Sequence, residues 1–244
     1  MKWLGVLVIV IVGIVGLFRT AYPSVTVRYH LTLNAVVDGV PKVGSGVIEV
    51  SYSKIPQILG SSAEFTIDVQ GEAVALDLGS HGTLFALLKE GEDSRSSAEW
   101  IVLRAFNLPG GALPSPVEKG VKQVGQLSGK VDLPLKNLPL LVHFRDINDP
   151  TTVEKVDPFN PQKTLGPGVE LKGASVEIVS AGVWPLSWWG ITGERLTRDV
   201  DARLTWLSGY FNRRLDGGRF ESVSAPNRFA NSLSAGSFKA GTMR

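Results

Sequence analysis

Val25 to Asn34, VTVRYHLTLN, is the stretch whose reading decides the fold. Val25, Val27, Tyr29, Leu31 and Leu33 fall on one side of an extended chain, and Thr26, Arg28, His30, Thr32 and Asn34 on the other. Successive side chains of a strand point to opposite faces, so this alternation predicts a half-buried β-strand. Asp38-Gly39 and a second turn at Gly44-Ser45-Gly46 lead into Val47 to Tyr52 (VIEVSY), whose β-branched content makes it the partner strand of a hairpin.

Working outward, similar short runs separated by glycine-bearing turns predict strands at Glu64 to Val69, Ala73 to Leu78 and Thr83 to Leu88. Strands resume at Gly129 to Leu133, Leu140 to Arg145, Thr151 to Val156 and, after Gly166-Pro167-Gly168, at Val169 to Val179. Ser96 to Asn107 reads two ways. Ser96 and Glu99 have capping-box spacing, which favours a helix, whereas Trp100-Ile101-Val102-Leu103 also suits a strand. The prolines and glycines of NLPGGALPSP, Asn107 to Pro116, predict a loop. The expected fold is mainly β: an antiparallel β-sandwich or meander over residues 24–180, with no internal repeat.

Composition narrows the function. With 244 residues, 43% of them hydrophobic, the chain is long enough for a sizeable core. Its 25 Lys+Arg against 23 Asp+Glu give a net charge of +2, which provides no broad field for nucleic acid, so none is expected as a partner. The absence of cysteine excludes disulfides, thiolate metal sites and cysteine nucleophiles.

The two ends differ from the middle. Trp3 to Phe18, WLGVLVIVIVGIVGLF, is uncharged and bounded by Lys2 and Arg19. As a helix it spans about 24 Å, short of a hydrocarbon core of roughly 30 Å unless Lys2 and Arg19 snorkel. Residues 1–20 are therefore expected to form an uncleaved transmembrane anchor, with a cleaved signal segment and a buried hairpin element as the competing readings. A single-pass protein of the bacterial inner membrane, its bulk periplasmic, follows from the anchor reading.

Towards the other end, residues 184–212 combine a Trp-rich stretch with helical periodicity. Leu196, Val200, Leu204, Leu207 and Phe211 recur at spacings of four, four, three and four, which predicts an amphipathic helix over Thr192 to Asn212. Trp184, Trp188 and Trp189 precede it. Together these eight side chains are the candidate contact surface, for packing on the domain itself, for a partner protein, or for the bilayer interface. Residues 213–244, rich in Ser, Gly, Asn and Ala, read as a basic flexible tail.

HFRDINDPTTVEKVDPF, His143 to Phe159, concentrates residue types that serve catalytic and metal sites. Asp146-Ile147-Asn148-Asp149-Pro150 is similar in order to the calcium-bridging linker of cadherin repeats, yet a calcium cage needs six to eight oxygens and further acidic clusters. An Asx turn between two strands is the expected reading. His30, His81 and His143 lie far apart and outside any zinc-binding spacing. Ser45, in V-G-S-G, does not fit a nucleophile elbow, and Gly166-Pro167-Gly168 does not fit a phosphate loop. A serine/lysine dyad of the signal-peptidase type shares the layout of anchor and strands but lacks its serine motif. No catalytic, metal or cofactor residue is assigned.

SGVIEVSY, GEAVALDLG with GTLFALL, LLVHFRDINDPTTVEKVDP and GPGVELKGASVEI resemble a family of uncharacterised proteobacterial proteins with one N-terminal membrane span. The resemblance covers Tyr29 to about Ile178 and implies no activity, cofactor or catalytic residue. The expected function is a membrane-anchored, non-catalytic accessory or protein-interaction module of an envelope complex. The rivals are a tethered hydrolase built around His143, Asp146 and Asp149, and a secreted soluble β domain.

Overall fold

The computed structural model describes residues 13, 16–56, 63–88, 97–183, 186–187 and 191–241. The fold is mainly β and contains two antiparallel sheets. β1 (Ser24–Val37) and β2 (Val40–Lys54) form one long hairpin, in register from Ser24 opposite Ser53 to Val37 opposite Val40. Its turn is Asp38-Gly39. The second turn expected at Gly44-Ser45-Gly46 does not form, because those residues continue β2 opposite Leu33, Thr32 and Leu31. Gly44 serves packing instead: a Cβ there would collide with the Ala75 carbonyl oxygen, so its absence lets a second sheet approach β2.

β3 (Phe65–Glu72) pairs with β2, β9 (Val169–Val179) with β1, β6 (Lys130–Leu133) with β9, and β10 (Lys239–Ala240) with β3. The six-stranded order is β10-β3-β2-β1-β9-β6. The smaller sheet, in order β4-β5-β7-β8, comprises Val74–Asp77, Thr83–Ala86, Leu141–Phe144 and Val153–Lys155. The helical alternative holds for the ambiguous segment: α1 is Ala98–Ala105, with Ser97 at its N-cap. A helix not expected from the proline-rich flank, α2 (Val117–Val124), follows and buries Val117, Val121 and Val124.

Two buried cores separate three layers. The first lies between the sheets and receives Tyr29, Leu31 and Leu33 from β1, Leu76 and Leu84 from the small sheet, and Ile101 and Val121 from the helices. Intervening residues of the small sheet, Phe85 and Val142, enter a second core on its other face. That core is closed by C-terminal residues including Val200, Leu204, Leu207, Leu215 and Phe238.

The C-terminal third therefore departs from expectation. The continuous helix over Thr192 to Asn212 is replaced by α3 (Val200–Arg203), one helical turn, and a 3-10 turn at Leu207–Tyr210. Gly193 has φ +84° and Leu204, the C-cap, has φ −115°, both outside helical values. Tertiary contacts override the periodicity. Trp206 donates its indole N–H to the Ile147 carbonyl at 2.7 Å, and its ring meets Phe144 edge-on at 5.5 Å. Nor are residues 213–241 an extended tail, since Leu215, Ala230, Leu233 and Phe238 are fully buried. Asn227 caps the short helix Arg228–Ser232 by accepting from the Ala230 N–H at 3.1 Å.

Among the described residues no helix is long and apolar enough to cross a membrane. Most of Trp3 to Phe18 lies outside the described residues, as do Trp184, Trp188 and Trp189.

Candidate functional site

The His143 segment is built from its ends inward. β7 delivers His143 and Phe144, and β8 begins at Val153, so residues 145–152 must reverse the chain. They do so by local hydrogen bonds. The Asp146 carboxylate accepts from the Asn148 N–H at 2.9 Å, and the Asp149 carboxylate accepts from the Thr151 N–H at 2.9 Å and its hydroxyl at 2.7 Å. The Thr151 hydroxyl, then its N–H, hold the Asp149 carboxyl below its ordinary titration range. These aspartates are the Asx-type turn expected from the sequence. Among the described residues no cluster of three or more His, Asp or Glu side chains is arranged to hold a metal.

His143 itself faces a cleft of about 490 Å³ shared with Ser80, His81, Thr83, Phe144 and Arg145. The sequence separates His81 from His143; His81 ends the 3-10 turn Gly79–His81 that leads into β5, and the antiparallel pairing of β5 with β7 brings the two to one cleft. The imidazole sits tightly against the turn: a Cβ on Gly82 would lie 2.7 Å from its Cε1. His143 Nδ1 donates to the Thr83 carbonyl at 3.2 Å. Arg145 pairs with Glu154 at 3.0 Å on the rim.

His81 is committed differently. Its Nδ1 donates to the Leu165 carbonyl at 2.7 Å and its Nε2 contacts the Asp38 carboxylate at 3.3 Å. The Leu165 bond, then the Asp38 bond and charge, raise its pKa above the ordinary value of 6.5. With both nitrogens directed at acceptors, His81 suits a cationic strut joining three loops; a general base needs a free lone pair. His30 has a third setting, 3.7 Å from Glu194 on the exposed face of β1.

A second candidate lies at the sheet end where the chain enters. β9 runs antiparallel to β1, with Val179 opposite Arg28, so it travels back towards the end at which β1 starts. The chain then makes a loop whose neck is closed by Glu194 N–H to Ser180 O at 2.8 Å and Val183 N–H to Thr192 Oγ1 at 3.0 Å. Arg28 fastens that neck: its guanidinium pairs with Glu49 across the hairpin at 2.5 Å and donates to the Glu194 carbonyl. Beyond the neck, Val183, Leu186 and Ile191 are 67%, 41% and 67% exposed.

The remaining candidate contact residues separate by burial. Val200, Leu204 and Leu207 are fully buried and Leu196 is half-buried, so the first three serve the core and not a partner surface. Phe211 alone of the stripe stands well out, at 53% exposure. It is accompanied by two residues that the periodicity did not single out, Phe220 at 81% and Val223 at 84%. Arg214 reaches Glu221 at 3.5 Å, which draws the 220–223 segment back beside the residues that follow Phe211. Their sequence signal is only two apolar residues within a polar run.

Comparison of the chain with protein-family models, with curated proteins and with solved structures finds no match.

Proposed function

We propose that the protein is a membrane-anchored, non-catalytic interaction module of a bacterial envelope complex. The observation that carries this reading is the exposure of Phe211, Phe220 and Val223 on a C-terminal layer whose inner residues, Leu215, Leu233 and Phe238, are fully buried. A layer able to bury its apolar residues, yet leaving large ones in water, offers anchors for a partner surface. The uncharged Trp3 to Phe18 stretch supports the tether.

Photo-cross-linking from position 220 of the full chain in its native membranes tests the reading. A discrete adduct with a different protein, lost when Phe211 and Val223 are changed to serine, is the expected result. Adducts spread over many proteins, or none, would count against it.

The tethered-hydrolase alternative draws support from one observation, that Ser80, His81 and His143 line a common cleft. It requires hydrolysis of an ester or amide probe that disappears in His143→Ala. Against it stand the turn bonds of Asp146 and Asp149 and the two acceptors of His81.

A further inference from the structure

We infer that Val183, Leu186 and Ile191, carried by the neck that Ser180 and Glu194 close, make a second membrane contact in the interfacial region of the same bilayer that holds the N-terminal segment. This rests on the anchor reading above. Three observations converge on it.

The first is placement. β1 begins at Ser24, three residues after the helical residues 16–21, and β9 points back towards that end of the sheet. The loop's root, just past Val179, is level with Val27 and so about 10 Å along the strand from Ser24 at roughly 3.3 Å per residue. A loop leaving the sheet there is within reach of a headgroup region in which the apolar segment ends.

The second is composition. Val183, Leu186 and Ile191 are exposed apolar residues in a stretch, AGVWPLSWWGI, that also contains three tryptophans, the side chain most enriched at the membrane interface. Charged residues are absent from Ala181 to Gly193. This distinguishes the loop from the mixed-charge segment that follows it, and makes apolar burial, not attraction to anionic lipid, the driving term.

The third is the fixed neck. Arg28, itself buried and paired with Glu49, holds the Glu194 carbonyl, while Ser180 and Thr192 close the loop by hydrogen bonds. The loop is thereby attached to the rigid hairpin, so that a bilayer contact would set the tilt of the whole sheet relative to the membrane. A protein partner would also accept apolar residues here; their position at the sheet end where the chain enters β1 selects lipid.

The chain's lack of cysteine allows a direct test. Single cysteines at Val10, Leu186, Ile191 and Val40 of the full chain are labelled with a polarity-sensitive fluorophore. The protein is reconstituted in vesicles of phosphatidylethanolamine and phosphatidylglycerol carrying nitroxide lipids, either at the headgroup or deep in the acyl chain. Val40, beside the hairpin turn at the far end of β1, is the aqueous reference. The expected result is loss of the Leu186 and Ile191 signals to the headgroup quencher, loss of the Val10 signal to the deep quencher, and none at Val40. Quenching at Val10 with Leu186 and Ile191 no different from Val40 would overturn the loop contact and leave the anchor standing. No quenching at Val10 would overturn the anchor, and the loop contact with it.

Discussion

At the scale of single residues, buried polar atoms show how the sheet and helix are joined. Tyr29 on β1 donates its hydroxyl to the Ala98 carbonyl at 2.9 Å, and Tyr52 on β2 donates to the Glu99 carbonyl at 2.5 Å. Burial pushes both phenols above their usual range, since an anion there would be poorly solvated. Both tyrosines thus bind the first turn of α1 to the hairpin as neutral donors. Tyr29→Phe keeps the packing and removes one buried hydrogen bond, so it should lower unfolding stability by about 1 kcal/mol, measured by denaturant titration. His81 adds a pH dependence. Its folded pKa lies above its unfolded value, so the stability it contributes is fully present below about 6.5 and is lost as pH rises through the folded value. The melting temperature should fall over that range in the native chain. In His81→Gln, which cannot carry the charge, this part of the slope should vanish.

At the scale of elements, local signals and distant partners had unequal say. The strands were legible because alternation is a local property: β9 occupies the predicted Val169–Val179, and the odd-numbered residues of β1 from Val27 to Val37 are buried as the pattern requires. The C-terminal segment was legible only in part. The spacing of Val200, Leu204 and Leu207 correctly marks buried positions, but the helix connecting them does not form. Thr192, Gly193, Thr197, Asp199, Asp201, Thr205 and Gly209 weaken helix propensity, and the aromatic cluster of Phe85, Phe144, Trp206 and Phe238 draws the chain into turns. No local window contains those partners. Likewise, the Asp-rich turn was readable from Asx chemistry alone, whereas the meeting of His81 and His143 depended on strand pairing. Because Leu204 is a fully buried part of this layer, Leu204→Ala should cost about 2–5 kcal/mol, seen as a lowered urea midpoint. An effect below about 0.5 kcal/mol would mean that the layer docks loosely.

At the scale of the whole molecule, separate layers carry the two exposed apolar groups. The sheet end at which β1 begins carries the neck closed by Ser180 and Glu194 with exposed Val183 and Ile191, while Phe211, Phe220 and Val223 belong to the C-terminal layer on the small sheet. The most direct measurement is isolation of the full chain from native membranes in mild detergent, followed by native mass determination. The account predicts a defined heteromeric complex that dissociates when Phe211, Phe220 and Val223 are changed together to serine while the melting temperature is preserved. Recovery of the unaltered protein only as a free chain, under conditions that keep other membrane complexes intact, would contradict it.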